Sequence, residues 1–201
     1  MGLTEEQREA LGVAVNEATL LGCEVNADQC VAAVTLEVLT LPEKGDPPAD
    51  PRVQILFLPV GRVAASLRMG GWDDATAEIQ PFRIEELLAT VQSFGGLPIY
   101  GWQFFDRHDE EMKMWGNRLS LDWRSSRDEG RRHSISLFQE GDNRHLDLCL
   151  WFDRLEIRTP DGSQVNFEEF CAGGKRWWDA MYSGDPRTKG PGILPLEGTD
   201  V

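Results

Sequence analysis

The densest run of possible ligands in this sequence is His108, Asp109, Glu110 and Glu111. A helical metal site needs two imidazoles one turn apart, and this run offers a single histidine. Flanked by Asp106, Arg107 and Lys113, it reads as a solvated connection, and no metal or cofactor site is expected from it. His133 and His145 lie on strand patterns that should neighbour each other. If Glu140 to Arg144 makes the turn, His145 faces Gln139 and His133 lies roughly 20 Å further along at about 3.3 Å per residue. One ion cannot bridge them, and both are expected at the surface or at a sheet edge. Gly70-Gly71 and Gly95-Gly96 lack the lysine or third glycine of a phosphate loop, and no serine sits in a nucleophile elbow. No catalytic residue is assigned.

Two carboxylate pairs, Glu85-Glu86 and Glu168-Glu169, have the composition of a general acid and base. Each opens a predicted helix, where acidic side chains stabilise the exposed amides without any substrate. Arg62 and Arg154 follow a bend in matching positions and could pair with those acids. If they converge, Arg62, Arg154, Glu85 and Glu168 would line a pocket in the seam between two related halves.

Binding chemistry has better candidates. Arg124, Arg127, Arg131 and Arg132 cluster in one loop around Asp128 and Glu129. Trp151 alternates away from the Leu148 and Leu150 face together with Asp147 and Cys149, so an uncovered second sheet face would present it as a recognition residue. Cys23, Cys30, Cys149 and Cys171 have neither zinc-ligand spacing nor a small secreted scaffold around them, and are expected as free buried thiols.

Positioning these groups requires a regular framework. Thr4 and Gln7 form a capping box, and Leu11, Val15 and Ala18 extend a helical pattern to Gly22. Val31 to Leu41 alternates as a half-buried strand, and the proline-rich segment Pro42 to Pro51 reads as a mobile hairpin connection. Val53 to Leu58 is a strand that bends at Pro59 and Gly61 before alternation resumes over Arg62 to Arg68. Ile84 to Val91 is a helix stopped at Gly95, and Ile99 to Phe105 a short strand. Leu119 to Trp123 and Ile135 to Leu137 are expected to pair as a hairpin. Leu146 to Ile157 is a strand bent at Asp153, and Asn166 with Glu169 begins a final aromatic helix whose Gly173 and Gly174 imply a close backbone crossing, with the Ile84 to Val91 helix as the expected partner.

These elements repeat weakly. Leu56, Leu58, Val60, Arg62, Val63 and Ala65 align with Leu148, Leu150, Phe152, Arg154, Leu155 and Ile157, and Ile84 to Leu87 aligns with Phe167 to Phe170. The expected fold is therefore α+β. An antiparallel sheet is built from two related strand-bend-strand-helix halves, about 25–105 and 115–183, with helices on one face and a helix in front. The 201 residues form a single domain with an extended tail, 184–201, whose Ile193 and Leu194 could bind a partner. With 34 acidic and 20 basic residues, the net charge of −14 disfavours nucleic acid and anionic lipid. No apolar run approaches a membrane span and the first residues are charged, which points to the cytoplasm. The functional expectation is a noncatalytic acidic module that binds a protein, a second copy of itself included. Trp151, Arg124, Arg131, Arg132, Ile193 and Leu194 are its contact candidates, and a small-molecule protein or enzyme using the seam pocket is the alternative.

Overall fold

The computed structural model describes residues 2–101, 103–107, 110–126 and 130–189. Helix α1 (Glu5–Val15) starts at the expected capping box. The Thr4 side chain accepts from the Gln7 N–H, and the Gln7 side chain accepts from the Thr4 N–H. The helix stops well before Gly22, because Glu17 takes a positive φ of 57° and strand β1 (Thr19–Asn26) begins directly after it. Ala18 and Leu20 fit either period over so short a stretch. Tertiary hydrogen bonds decide between them, with Glu17 N–H donating to Ile99 O and Leu20 N–H to Leu97 O.

Strands β2 (Val31–Glu37), β3 (Arg52–Met69), β4 (Glu78–Ile79), β5 (Leu121–Arg124), β6 (His133–Gly141), β7 (Arg144–Arg158) and β8 (Gln164–Val165) complete one antiparallel sheet. Its order is β1-β2-β3-β7-β6, with β4 and β5 attached to β3 and β8 to β7. Where the sequence suggests strand, bend and strand, β3 and β7 each run through without a break. They pair from Gln54↔Arg158 to Met69↔Arg144, with a bulge between Val60 and Arg62. The bend survives as a change of face. Burial passes from Ile55 and Phe57 to Val60 and then to Val63 and Ala65, so both halves of the strand feed one core.

The expected hairpin between Leu119–Trp123 and Ile135–Leu137 does not form. β5 pairs with β3, Arg62↔Arg124 to Ala65↔Leu121, and β6 pairs with β7. β2 reaches only to Phe57 along that edge of β3, and the backbone groups left beyond it need partners, which β5 supplies. The described residues of the expected 99–105 strand, 99–101 and 103–105, likewise form none, and the segment touches the sheet at two lone bridges, Thr19↔Pro98 and Phe105↔Ile135.

Helices α1, α2 (Leu87–Gln92, after a 3₁₀ turn Ile84–Glu86) and α4 (Phe167–Tyr182) cover one face. Leu11, Val15, Leu87, Val91 and Phe170 join Leu36, Phe57, Leu148 and Phe152 in a single core. The glycine notch of α4 is real, but its partner is α1 and not α2. A Cβ on Gly174 would lie 2.5 Å from Ala14 Cα, so only glycine permits the crossing. The beginning of the proline-rich connection is also fixed, since the Leu41 N–H donates to Gly173 O and Leu41 O accepts from the Arg176 guanidinium. All four cysteines are free and buried, and burial pushes the Cys23 and Cys171 thiols up to about 12. Among the described residues no helix is long and apolar enough to cross a membrane.

The remaining helix, α3 (Glu110–Trp115), departs from the one-face expectation: its Trp115 covers Arg68 on the opposite face of the sheet.

Candidate binding groove

Side chains directly opposite in antiparallel strands share a face, so the registers write out the second face row by row. The first row across β5, β3, β7 and β6 is Arg124, Arg62, Trp151 and Ser134, and the next is Asp122, Ala64, Cys149 and Ser136. Below these come Ser66, Asp147 and Phe138, then Arg68, His145 and Glu140. The lower rows are sealed at Arg68, His145 and Asp147, while Glu140 stays exposed at the edge. Arg68 donates to Asp147 at 2.5 Å with side-chain exposures of 1% and 5%, and its guanidinium lies 3.8 Å from the centroid of the Trp115 ring. Arg118 stacks near the same ring and binds Ala75 O and Ala77 O, pinning the connecting segment down.

The upper rows stay open. Small side chains at Ser134, Ser136 and Cys149 leave a recess beside Trp151, and the surrounding walls turn it into a groove of about 1030 Å³. One wall is residues 103–107, held to β6 because the Asp106 N–H donates to Ser134 O and the Ser136 N–H to Phe104 O. Leu119, Gly116 and Lys113 form another, and Glu5, Arg8 and Glu9 of α1 close one end. Arg131 and Arg132 form the rim, their backbone amides anchored on the Asp153 carboxylate at 3.1 and 3.2 Å. Gly130, at φ 80°, lets this loop lie directly on the Pro59–Gly61 backbone, where a Cβ would meet Pro59 O at 2.2 Å.

Electrostatically the groove inverts the chain. Among the described residues, Arg8, Arg62, Arg107, Lys113, Arg131 and Arg132 line it together with Glu5, Glu9 and Asp106, within a protein of net charge −14. Asp106 ties three elements together. It accepts from Arg8 at 2.7 Å, from the Ser134 N–H at 2.7 Å and from His133 Nδ1 at 2.7 Å. Partial burial works to raise its carboxyl, but these hydrogen bonds outweigh it and hold the group below its ordinary value. His133 Nε2 accepts from the Leu3 N–H at 2.8 Å, so Nδ1 carries the proton given to Asp106 and both ring nitrogens are engaged.

Of the residues singled out by sequence, Trp151, Arg62, Arg131 and Arg132 meet at this groove. The Arg62 guanidinium lies 4.7 Å from the centroid of the Trp151 ring, and its Nε donates to Asp122 at 2.6 Å. Arg124 lies beside them on β5 and also reaches Asp122, at 3.2 Å. The imagined pairing of Arg62 and Arg154 with the helix-start glutamates is replaced by nearer partners. Arg154 binds Glu156 two residues on, Glu86 caps the 3₁₀ turn by accepting from the Arg83 N–H, and Glu169 pairs with Arg176. Glu85 is exposed, and Glu168 lines a separate hollow of about 420 Å³ with Leu155 and Phe167. Arg127, His108, Asp109, Ile193 and Leu194 lie outside the described residues.

The two histidines are not surface residues. His145 is 3% exposed, with Nδ1 2.8 Å from Gly70 O, and His133 is 8% exposed. Among the described residues no group of three or more His, Cys, Asp or Glu side chains could hold a metal ion. Sequence spacing gave no sign of Arg8, Asp106, Arg107 or Lys113 as groove residues, because α1 and the connection reach the sheet only through tertiary contacts. No protein-family model, curated protein or solved structure matches this chain.

Proposed function

We propose that this chain is a noncatalytic recognition protein that binds a partner protein through the groove on the second sheet face. The observation that carries the reading is the concentration of six cations and an arginine-stacked tryptophan in one open groove of a strongly acidic chain. Tryptophan and arginine are the residue types in which interface hot spots are enriched, and here they stack on one another. The groups with catalytic potential are occupied: His133 is bonded at both nitrogens, and Asp106 is shared among Arg8, His133 and Ser134. Four free buried thiols suit a reducing compartment, which supports the cytoplasm as its location.

A pseudo-symmetric origin belongs to the same proposal. β2-β3-β4-α2 and β6-β7-β8-α4 share one order: a hairpin, a long strand, a two-residue strand bonded to the far end of that long strand, then a helix. The groove lies where the two long strands meet, and its volume, at the top of the roughly 300–1,000 Å³ range of small-molecule sites, favours a small ligand as the second reading.

Affinity capture from host lysate with the wild-type chain and with the R131E/R132E variant separates these outcomes when combined with native mass spectrometry. Partners, a second copy among them, that are captured by the wild type and lost from the variant support the reading. Identical partners on both baits reject the groove as the surface, and a reproducible small bound mass moves the second reading to the front.

A further inference from the structure

We propose that His133 is a pH-operated latch at the groove end: its neutral ring holds residues 2–4 in place, and a proton on the ring releases them. The latch rests on hydrogen-bond geometry, so it stands apart from what the groove binds.

His133 is 8% exposed and packs against Phe152, with ring centroids 5.9 Å apart. The Asp106 carboxylate, 2.7 Å from Nδ1, can only accept, and the Leu3 N–H, 2.8 Å from Nε2, can only donate. One bond needs a proton on the ring and the other needs a bare nitrogen, so both form only with neutral imidazole. The chain is fitted to this arrangement at Gly2, where a Cβ would lie 2.6 Å from Nε2. Leu3 packs its side chain partly against the core.

A proton added to Nε2 sets two donors against each other across the 2.8 Å contact, and the Leu3 N–H has to leave. The ring stays, because a charged imidazolium binds a carboxylate more strongly than neutral imidazole does. Partial burial raises the Asp106 carboxyl, but its bonds to His133, Arg8 and the Ser134 N–H outweigh that and hold it below its ordinary value. It therefore remains ionised while the histidine titrates. Among the described residues, the other charged side chains around the ring are Arg107 of the wall, Glu5, Arg8 and Glu9 of α1, Arg132 beside it in the chain and Arg62 of β3. Arg8 shares Asp106 Oδ2 with the ring, and Asp153 of β7 is committed to the Arg131 and Arg132 amides.

Release reaches the groove through α1. Thr4, next after Leu3, caps the helix by accepting from the Gln7 N–H. Without the Leu3 anchor the cap frays, and with it the first turn that carries Glu5 to the groove end. Acidification thus lengthens the open groove, and the partly buried Leu3 side chain re-seats the segment when the proton leaves.

The test is nuclear magnetic resonance on the isotope-labelled 201-residue chain. The ring nitrogens of His133 and the amide of Leu3 are followed from about pH 8 to about pH 5, the interval in which histidines change charge. At the upper end Nδ1 should carry the proton, and a coupling across the hydrogen bond should join Nε2 to the Leu3 nitrogen. On acidification that coupling should vanish as Nε2 protonates. The exchange protection of the Leu3 N–H, corrected for its intrinsic rate, should fall at least about tenfold while amides in β3 and β7 keep theirs. His133→Gln, which cannot charge, should show no such step. Leu3 protection that persists while His133 charges, an Nε2 already protonated at the upper end, or a ring that never charges would overturn the latch. The same step in His133→Gln would overturn it too, and the wild-type titration decides alone if that variant does not fold.

Discussion

Replacing Asp147 by asparagine should be among the most damaging conservative changes available to this protein. The carboxylate and Arg68 are 5% and 1% exposed and 2.5 Å apart, so water can neither screen the pair nor replace the lost partner. The variant keeps the shape but takes the Asp147 charge away from a guanidinium buried under Trp115. Breaking a buried pair from one side costs about 3–5 kcal/mol. Divided by a urea dependence of about 2 kcal/mol/M, the denaturation midpoint should fall by about 2 M. Arg68→Met should cost a comparable amount, whereas the double variant R68M/D147N, which removes both charges together, should recover much of the loss. Because the pair is buried, the difference between wild type and D147N should persist when salt is raised. Urea unfolding followed by circular dichroism for all four proteins closes the cycle. A D147N midpoint within about 0.5 M of wild type, or a double variant as unstable as the sum of the singles, would refute the claim that this face is held by a coupled buried pair.

Three further outcomes rest on the same structure. Gly174→Ala drives a methyl group into Ala14 and should destabilise by about 1–3 kcal/mol, measured by urea denaturation. Thr4→Ala removes the acceptor of the Gln7 N–H and should cost about 1 kcal/mol by thermal unfolding. Asp106, held below its ordinary value of 3.8, contributes stability that is present above that value and lost as pH falls through its lower folded-state value. Asp106→Asn should therefore flatten the acid limb of the stability curve, and an unchanged limb in a pH series of urea midpoints would count against that role.

Local signals carried what depends on neighbours in sequence. The Thr4 and Gln7 capping box, the Asn166 cap of α4, the alternation over Val31 to Glu37 and the glycine notch all rest on short-range periodicity or on backbone freedom, and each stands in the structure, whereas the β6–β7 turn is tighter than expected, at Asp142-Asn143, so that His145 faces Glu140 and not Gln139. Which strand pairs with which is a long-range choice. β5 joins β3 because β2 leaves that edge unpaired, and no property of Leu121 to Arg124 alone encodes this. The partner of the glycine notch, the turn at Glu17 that follows α1 and the path of residues 97–101 were set in the same way, by contacts between segments far apart in the chain.

The site divides along the same line. Sequence alternation alone determined that Trp151 leaves the main core face, and composition determined that the chain is acidic. Only the tertiary structure decided that Arg62 stacks on Trp151, that Arg8 and Asp106 meet at one end of the recess, and that α3 seals the lower rows while leaving the upper ones open. The physical reason is that alternation fixes the direction of each side chain, whereas a groove exists only where separate segments stop short of covering the same face.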